Sequence, residues 1–353
     1  MTGPVLAIPF AGASAEFVAT LGENLVPLVS WMGGKRTLAP DLLALLGLRL
    51  GRPVPTILGD ASWWGWVWAV VLDPETGPRV SEVLRSWRGE DPRALWFRLR
   101  DMGPITDDVA AAAAQLLWLQ ARAASGVPVW WEGGDAVTCA HHPPGMSGDT
   151  ALLLRGSEGS EGSEGAVGAS ARGRNTGAGG IIDPGTIANR ADVIRARLVK
   201  ASGGEAGFSK DYGTCTAKGW RLFRPSDIAG RADCVRAAIG DVLVYHTDAR
   251  SLTEEWAPRL GTDGRWFFDP PYQGKTGYPV ACPRNEVLAI AEIPARLGAP
   301  VLVCEAVGLA ADLGPGWTQT CLRDGEKQEW VTTHGCDVRS LLPPLLRAMS
   351  STP

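Results

Sequence analysis

The chain of 353 residues is 45% hydrophobic and 20% charged, enough apolar mass for one large core or two modest ones, which excludes a chain disordered throughout. No run of eighteen apolar residues occurs, and the start MTGPVLAIPFAGASAEF lacks the basic stretch of a secretory signal, so a cytoplasmic protein without a membrane span is expected. The net charge of −4 does not by itself point to nucleic acid.

In chain order, the glycine-containing stretch IPFAGAS (Ile8 to Ser14) comes first and reads as part of a terminal segment, residues 1–25, packing on the main domain. VPLVSWMGGKR follows. Gly33 and Gly34 let the backbone come close to a ligand, Lys35 can reach a carboxylate, and Trp31 can wall such a site. The alternative is a plain Gly-Gly turn ahead of a helix in TLAPDLLALLGL. PTILGD and VWAVVLD read as short buried strands, and DDVAAAAAQLLWLQARAA has helical composition. Gly156 to Gly180 is a low-complexity Gly/Ser/Glu stretch with no core-forming pattern, a flexible loop or linker. Beyond it, DVLVYHTD, GRWFFDPPY and APVLVCEAV are short apolar runs ending in polar or turn residues, with the helix-like EVLAIAEIPARL between the last two. Strands alternating with helices predict a mostly parallel, doubly wound α/β sheet with its ligand site at the carboxyl ends of the strands.

Charge is unevenly spread. Between Ala171 and Arg236 about twelve lysines and arginines stand against about six acids, an asymmetry that marks either a polyanion-binding face or a solvated surface. Lys210, Lys218, Arg221 and Arg224 are interleaved there with Phe208, Tyr212, Trp220 and Phe223. Phosphate contacts and wedging or reading side chains are what a base-flipping protein requires. The seven cysteines form no C-x-x-C pair, so reduced thiols are expected. Cys139, His141 and His142 crowd into CAHH without a distant second pair, and no metal is expected.

DPPY carries the sharpest chemistry. Asp269 follows the apolar WFF, and Pro270 and Pro271 make a stiff turn that exposes backbone carbonyls. A carboxylate and a carbonyl together can accept from an exocyclic amine while Tyr272 offers a face for stacking, which suits an amino group on a planar heterocycle. The plainer reading is a Pro-rich turn ending a strand, with Asp269 as a surface cap.

This string resembles a motif of the amino-group DNA methyltransferases, and together with SWMGGKR it is similar to the DNA adenine methylase family. The resemblance runs loosely from Val26 to about Thr332, through QLLWLQARAASG, FRPSDIAGRADCVRAAIGDVLVYHTDARSL and QEWVTT. It implies a Rossmann-like fold that binds S-adenosylmethionine (SAM), built from residues 26–130 and 238–345, with residues 131–237 as an inserted DNA-recognition region. It implies DNA as partner and methylation of adenine N6, with Asp269, Pro270, Pro271 and Tyr272 catalytic. Cytosine N4 or an RNA adenine would use the same chemistry, and a non-catalytic DNA-binding protein on the same scaffold is the alternative from another class. Trp31, Gly33, Gly34 and Lys35 would hold the cofactor, with Asp60, Gly65, Asp73 and Asp248. Lys210, Tyr212, Lys218, Arg221 and Arg224 would meet DNA, joined by Lys275, Thr276 and Tyr278 after DPPY, Tyr278 closing over the flipped base unless QGKTGY is only a surface loop.

The chain departs from that pattern at the family's glycine loop, whose place reads ILGDASWWGWVWAVVLD. Asp60 and Gly65 remain there, but Trp63, Trp64, Trp66 and Trp68 either line an unusual pocket or fill the core. Asp73 either binds ribose hydroxyls, by the logic of the Rossmann acid, or caps the helix of PETGPRVSEVLRSW. IPFAGAS resembles the glycine loop better but precedes SWMGGK, so it either packs on the domain as a terminal segment or completes the cofactor site.

Overall fold

The computed structural model describes residues 3–12, 14–22, 24–29, 35, 38–102, 105, 107–121, 151–154, 224–272, 282–323 and 328–336. Its strands are β1 (Val5–Ile8), β2 (Thr56–Gly59), β3 (Ala151–Leu154), β4 (Val242–Tyr245), β5 (Gly264–Phe268), β6 (Val301–Glu305), β7 (Trp317–Arg323) and β8 (Glu329–His334). They form one sheet in the order β3-β4-β2-β1-β5-β6-β8-β7. The pairings β4-β2, β2-β1, β1-β5 and β5-β6 are parallel, whereas β3, and β8 with β7, pair antiparallel at the two margins.

Alternation along the strands divides the core. Leu6, Ile8, Leu58, Phe267, Leu302 and Cys304 face one cluster of buried residues; Val5, Ala7, Ile57, Trp266, Phe268, Val301 and Val303 face another. Successive side chains of a strand point to opposite faces, so continuous apolar runs such as VLAI and WFF bury both. Helices α1 (Ala15–Leu21), α2 (Ala39–Leu45), α3 (Trp63–Leu72), α4 (Thr76–Ser86), α5 (Pro92–Asp101), α6 (Val109–Ala121) and α7 (Pro225–Ala238) contribute to the first cluster. The second is covered by α8 (Ala249–Leu260), α9 (Arg284–Arg296) and α10 (Ala310–Leu313).

Three expectations need correcting. VWAVVLD is not a strand: it is the second half of α3, all ten residues of which are buried. A helix enclosed on every side shows no amphipathic period, and its apolar run looks like a buried strand until length decides. Val5–Ile8 is not peripheral either, because β1 lies mid-sheet between β2 and β5. And Pro225–Ala238, expected inside the recognition insert, packs as α7 against α4 with Ile228, Ala229, Ala232 and Val235 buried.

Strand order reverses at β1. The chain adds β2 and β4 on one side of it, then crosses to lay β5 and β6 on the other. In an open parallel sheet this reversal opens a crevice beyond the carboxyl ends of the two strands flanking it, here β1 and β5. Among the described residues no helix is long and apolar enough to cross a membrane, and no cluster of His, Cys, Asp or Glu could hold a metal ion. Cys139, His141 and His142 lie outside those residues.

Candidate active site

The crevice is built from the ends of four strands. Beyond β1 the chain turns through Phe10, Ala11 and Gly12, and enters α1 after Ser14. Gly12 and Ser14 both take φ of 46°, a left-handed conformation that is free for glycine and costs serine about 1 kcal/mol. Neighbouring elements hold this turn: Gly12 N–H donates to Asp60 Oδ2 at 2.8 Å, and Trp68 Nε1 donates to Gly12 O at 2.7 Å. Phe10 packs edge-on against Phe268 of β5, 6.3 Å between ring centroids. Ser14 Oγ is buried and has no partner.

Asp60 stands just past β2. Besides Gly12 it accepts from Ser62 N–H at 2.7 Å and from the Ser62 hydroxyl, while Ser62 caps α3 by accepting from Trp64 N–H. Its carboxylate therefore ties the β1 turn to the start of α3.

Beyond β5 the two sharp motifs of the sequence meet. Lys35 Nζ donates to Asp269 Oδ1 at 2.9 Å and to Oδ2 at 3.1 Å, across 234 residues of chain. It lies 3.5 Å from Glu329 Oε1 and 4.6 Å from the centroid of the Tyr272 ring. The Tyr272 hydroxyl donates to Glu329 Oε1. Glu329 opens β8, and because Trp330 is paired with Glu305 at the end of β6, antiparallel β8 delivers its acid to the same edge as the parallel strands. Glu16, on α1, is 4% exposed, and its Oε1 has no hydrogen-bond partner.

Burial and crowding set the charges. Burial lifts the Glu16 carboxyl to about 7, with Asp269 and then Glu329 adding to the rise and a hydrogen bond from its own backbone and Lys35 opposing it. Burial also raises Asp269 and Glu329, each partly offset by Lys35. For Lys35 burial disfavours the charge, but Asp269, Cys304 and Glu329 outweigh it, so the ammonium is held firmly protonated. Tyr272 is driven far up by burial and by the carboxylates around it, and remains a neutral donor. Among the described residues, the carboxyl groups of Glu16, Asp269 and Glu329 face one ammonium, that of Lys35.

The other candidate residues fall elsewhere. A Cβ at Gly65 would stand 2.4 Å from Asp60 O and 2.9 Å from Tyr245 O, so glycine there lets α3 press onto the ends of β2 and β4. Asp73 does not follow a strand. It ends α3, and its Oδ1 accepts from Glu75 N–H, Thr76 N–H and the Thr76 hydroxyl at the start of α4, which is the helix-capping alternative. Asp248 caps α8 by accepting from Ser251 N–H and its hydroxyl. Arg224 is exposed at the start of α7 and takes Asp227 Oδ2 on its backbone N–H. Trp63, Trp64, Trp66 and Trp68 are core residues, with Trp63 and Trp64 stacked 4.4 Å apart. Trp31, Gly33, Gly34, Lys210, Tyr212, Lys218, Arg221, Lys275, Thr276 and Tyr278 lie outside the described residues.

Sequence reasoning missed Glu16 and Glu329. The signal for Glu16 was an acid two residues beyond a small-residue turn that follows the apolar VLAI, and for Glu329 an acid opening the apolar and threonine-rich WVTT. Both signals need the strand order before they mean anything. Comparison with protein-family models and with curated proteins finds no match to this chain.

Proposed function

We propose that the chain transfers a methyl group from SAM to the exocyclic amine of a base in DNA, adenine N6 by preference. The observation that carries this reading is the meeting of the G-G-K lysine with DPPY at the strand-order reversal, where Lys35 Nζ sits 2.9 Å from Asp269 Oδ1. The contact supports Asp269 as an acceptor for an amine: a nitrogen donor already occupies hydrogen-bond distance from its carboxylate.

The residues present fit SAM on three grounds. The turn beyond β1 carries Ala11 and a left-handed Gly12 after Phe10, and glycine in that conformation lets backbone approach a ligand. Two buried polar atoms there, Ser14 Oγ and Glu16 Oε1, have no partner among the described residues, and such atoms are costly unless something supplies their hydrogen bonds. The excess of carboxyl groups over ammonium suits a cation. When bound, SAM would supply an electrophilic methyl on a positively charged sulfur. Glu16, Ser14 and the β1 turn would hold it.

The chain's own part is orientation. Asp269 and the Pro270 carbonyl accept from the amine and direct its lone pair, the two prolines fix that pair of acceptors, and Tyr272 stacks on the base. Tyr272 is itself fixed by Glu329. Alignment of donor and acceptor is then the main contribution to rate, and no covalent enzyme intermediate is required. DNA would be held by the basic, aromatic residues between Arg190 and Arg224 of the sequence.

The Lys35–Asp269 ion pair also favours a second reading, a DNA-binding protein on this scaffold whose carboxylate is permanently filled. One experiment separates them. The protein is incubated with SAM and unmethylated DNA, the DNA is digested to nucleosides, and methylated bases are identified by mass spectrometry, with Asp269→Ala in parallel. N6-methyladenine from the wild type, reduced at least 100-fold in the variant, is expected. N4-methylcytosine would move the specificity and keep the chemistry. No product on DNA or RNA, or product undiminished in Asp269→Ala, would overturn the assignment.

A further inference from the structure

Glu16 is an acid of the crevice with which no cation among the described residues forms an ion pair. Asp269 and Glu329 both meet Lys35, at 2.9 and 3.5 Å. Glu16 approaches them from α1, 4% exposed, with Oε1 unpartnered. The charged and titratable groups that face it are Asp269 at the end of β5, Glu329 at the start of β8, Lys35, and the buried thiol of Cys304 on β6. Among the described residues only Lys35 of these is positive, and it is already paired with Asp269 and Glu329. A buried carboxyl in such company holds its proton up to about pH 7 while the crevice is empty, because ionising would place a third negative charge beside one cation.

We propose that Glu16 is the counter-charge for a sulfonium nucleoside, ionising as the cation enters and releasing its proton to solvent. This rests on the SAM reading and adds to it a determinant of affinity. The balance is simple: one carboxylic acid becomes carboxylate, one proton goes to the buffer, and the positive sulfur replaces the lost proton's charge. Ser14 Oγ, also buried and unpartnered on the same turn, gives the nucleoside a neutral hydrogen-bond partner beside it. A ligand of the same shape without the positive sulfur would gain nothing from ionised Glu16. The crevice should therefore tell SAM from its demethylated thioether, S-adenosylhomocysteine, by charge, and more strongly as Glu16 becomes easier to ionise.

The test is calorimetric titration of the full chain with SAM and with S-adenosylhomocysteine, at about pH 6 and about pH 8. Buffers of different ionisation heat count the protons released. With Glu16 titrating near 7, the preference for SAM over the thioether should grow about tenfold across that range. SAM should release close to one proton per site at the lower pH and the thioether almost none. In Glu16→Gln the growth and the proton release should both vanish. The wild-type proton count needs no variant, so a poorly folded Glu16→Gln would leave the inference open to refutation. Binding of both nucleosides with equal proton release, or a pH-dependent preference that survives in Glu16→Gln, overturns the role of Glu16 and leaves the SAM reading standing. If neither nucleoside binds, the SAM reading fails and the inference falls with it.

Discussion

Burial takes Lys35, Asp269, Glu329, Tyr272 and Glu16 out of water, and each must then be satisfied by a neighbour. Four of them are: Lys35 reaches both carboxylates and Tyr272 reaches Glu329. Glu16 is satisfied least, its Oε1 having no hydrogen-bond partner among the described residues, and its cost appears as pH dependence. Its carboxyl titrates near 7 in the folded chain against an ordinary 4.5, so between those values the native state holds a proton that the unfolded state has lost. The stability this contributes is fully present below about 4.5 and disappears as pH rises through about 7, a change of at most ~3 kcal/mol. Asp269 and Glu329 are shifted in the same direction. Glu16→Gln should therefore flatten the fall in stability between pH 5 and 8 and leave the variant ~1–3 kcal/mol more stable at the alkaline end. Urea unfolding of both proteins across that range is the check, and an unchanged slope would mean that Glu16 is ionised in the native chain.

The elements that frame the crevice are set by close approach as much as by apolar burial. α3 lies against β4 and the end of β2 because Gly65 carries no side chain there. Gly65→Ala would gain about 1 kcal/mol in helix propensity. The new Cβ would also stand 2.4 Å from Asp60 O, a backbone atom that cannot turn aside, and overpacking of that kind costs about 1–3 kcal/mol or more. The clash wins. Gly65→Ala should destabilise the protein by ~1–2 kcal/mol in chemical denaturation, and because Asp60 holds the β1 turn, the proposed binding of SAM should weaken with it. A variant as stable as the wild type would remove Gly65 from this role. The same element shows why the reading of VWAVVLD failed: its ten residues are buried on all sides, so neither a period of 3.6 nor one of 2 is written into it.

At the scale of the whole molecule the decisive strand is β1, which pairs with both β2 and β5 and whose turn forms one wall of the crevice. Read along the chain, Val5–Ile8 precedes every other apolar segment and looks peripheral. In the fold it joins the two halves of the sheet. Deleting residues 1–12 should therefore abolish cooperative thermal unfolding rather than trim an appendage, because two parallel pairings and Leu6 and Ile8 of the core would go with it. A truncated protein that still melts cooperatively by circular dichroism would show the sheet can close without β1.

The amino-acid sequence by itself determined the layer architecture, since apolar runs such as VLVCE alternating with amphipathic stretches have few stable packings other than helices on a mostly parallel sheet. It also located Asp269 and Tyr272, because an acid and a rigid turn directly after a buried strand fall at the edge where such sheets bind ligands. What only the tertiary structure decided was company. Lys35 was legible as a cation that could meet a carboxylate, but that the carboxylate is Asp269 depends on strand order, which no local pattern encodes. Glu16 and Glu329 were illegible for the same reason: each lies in a segment whose place beside β5 follows from β1 standing mid-sheet and β8 running antiparallel. Short-range pattern fixes which residues are buried and which faces they share. Pairing between strands hundreds of residues apart fixes which charges must then balance one another.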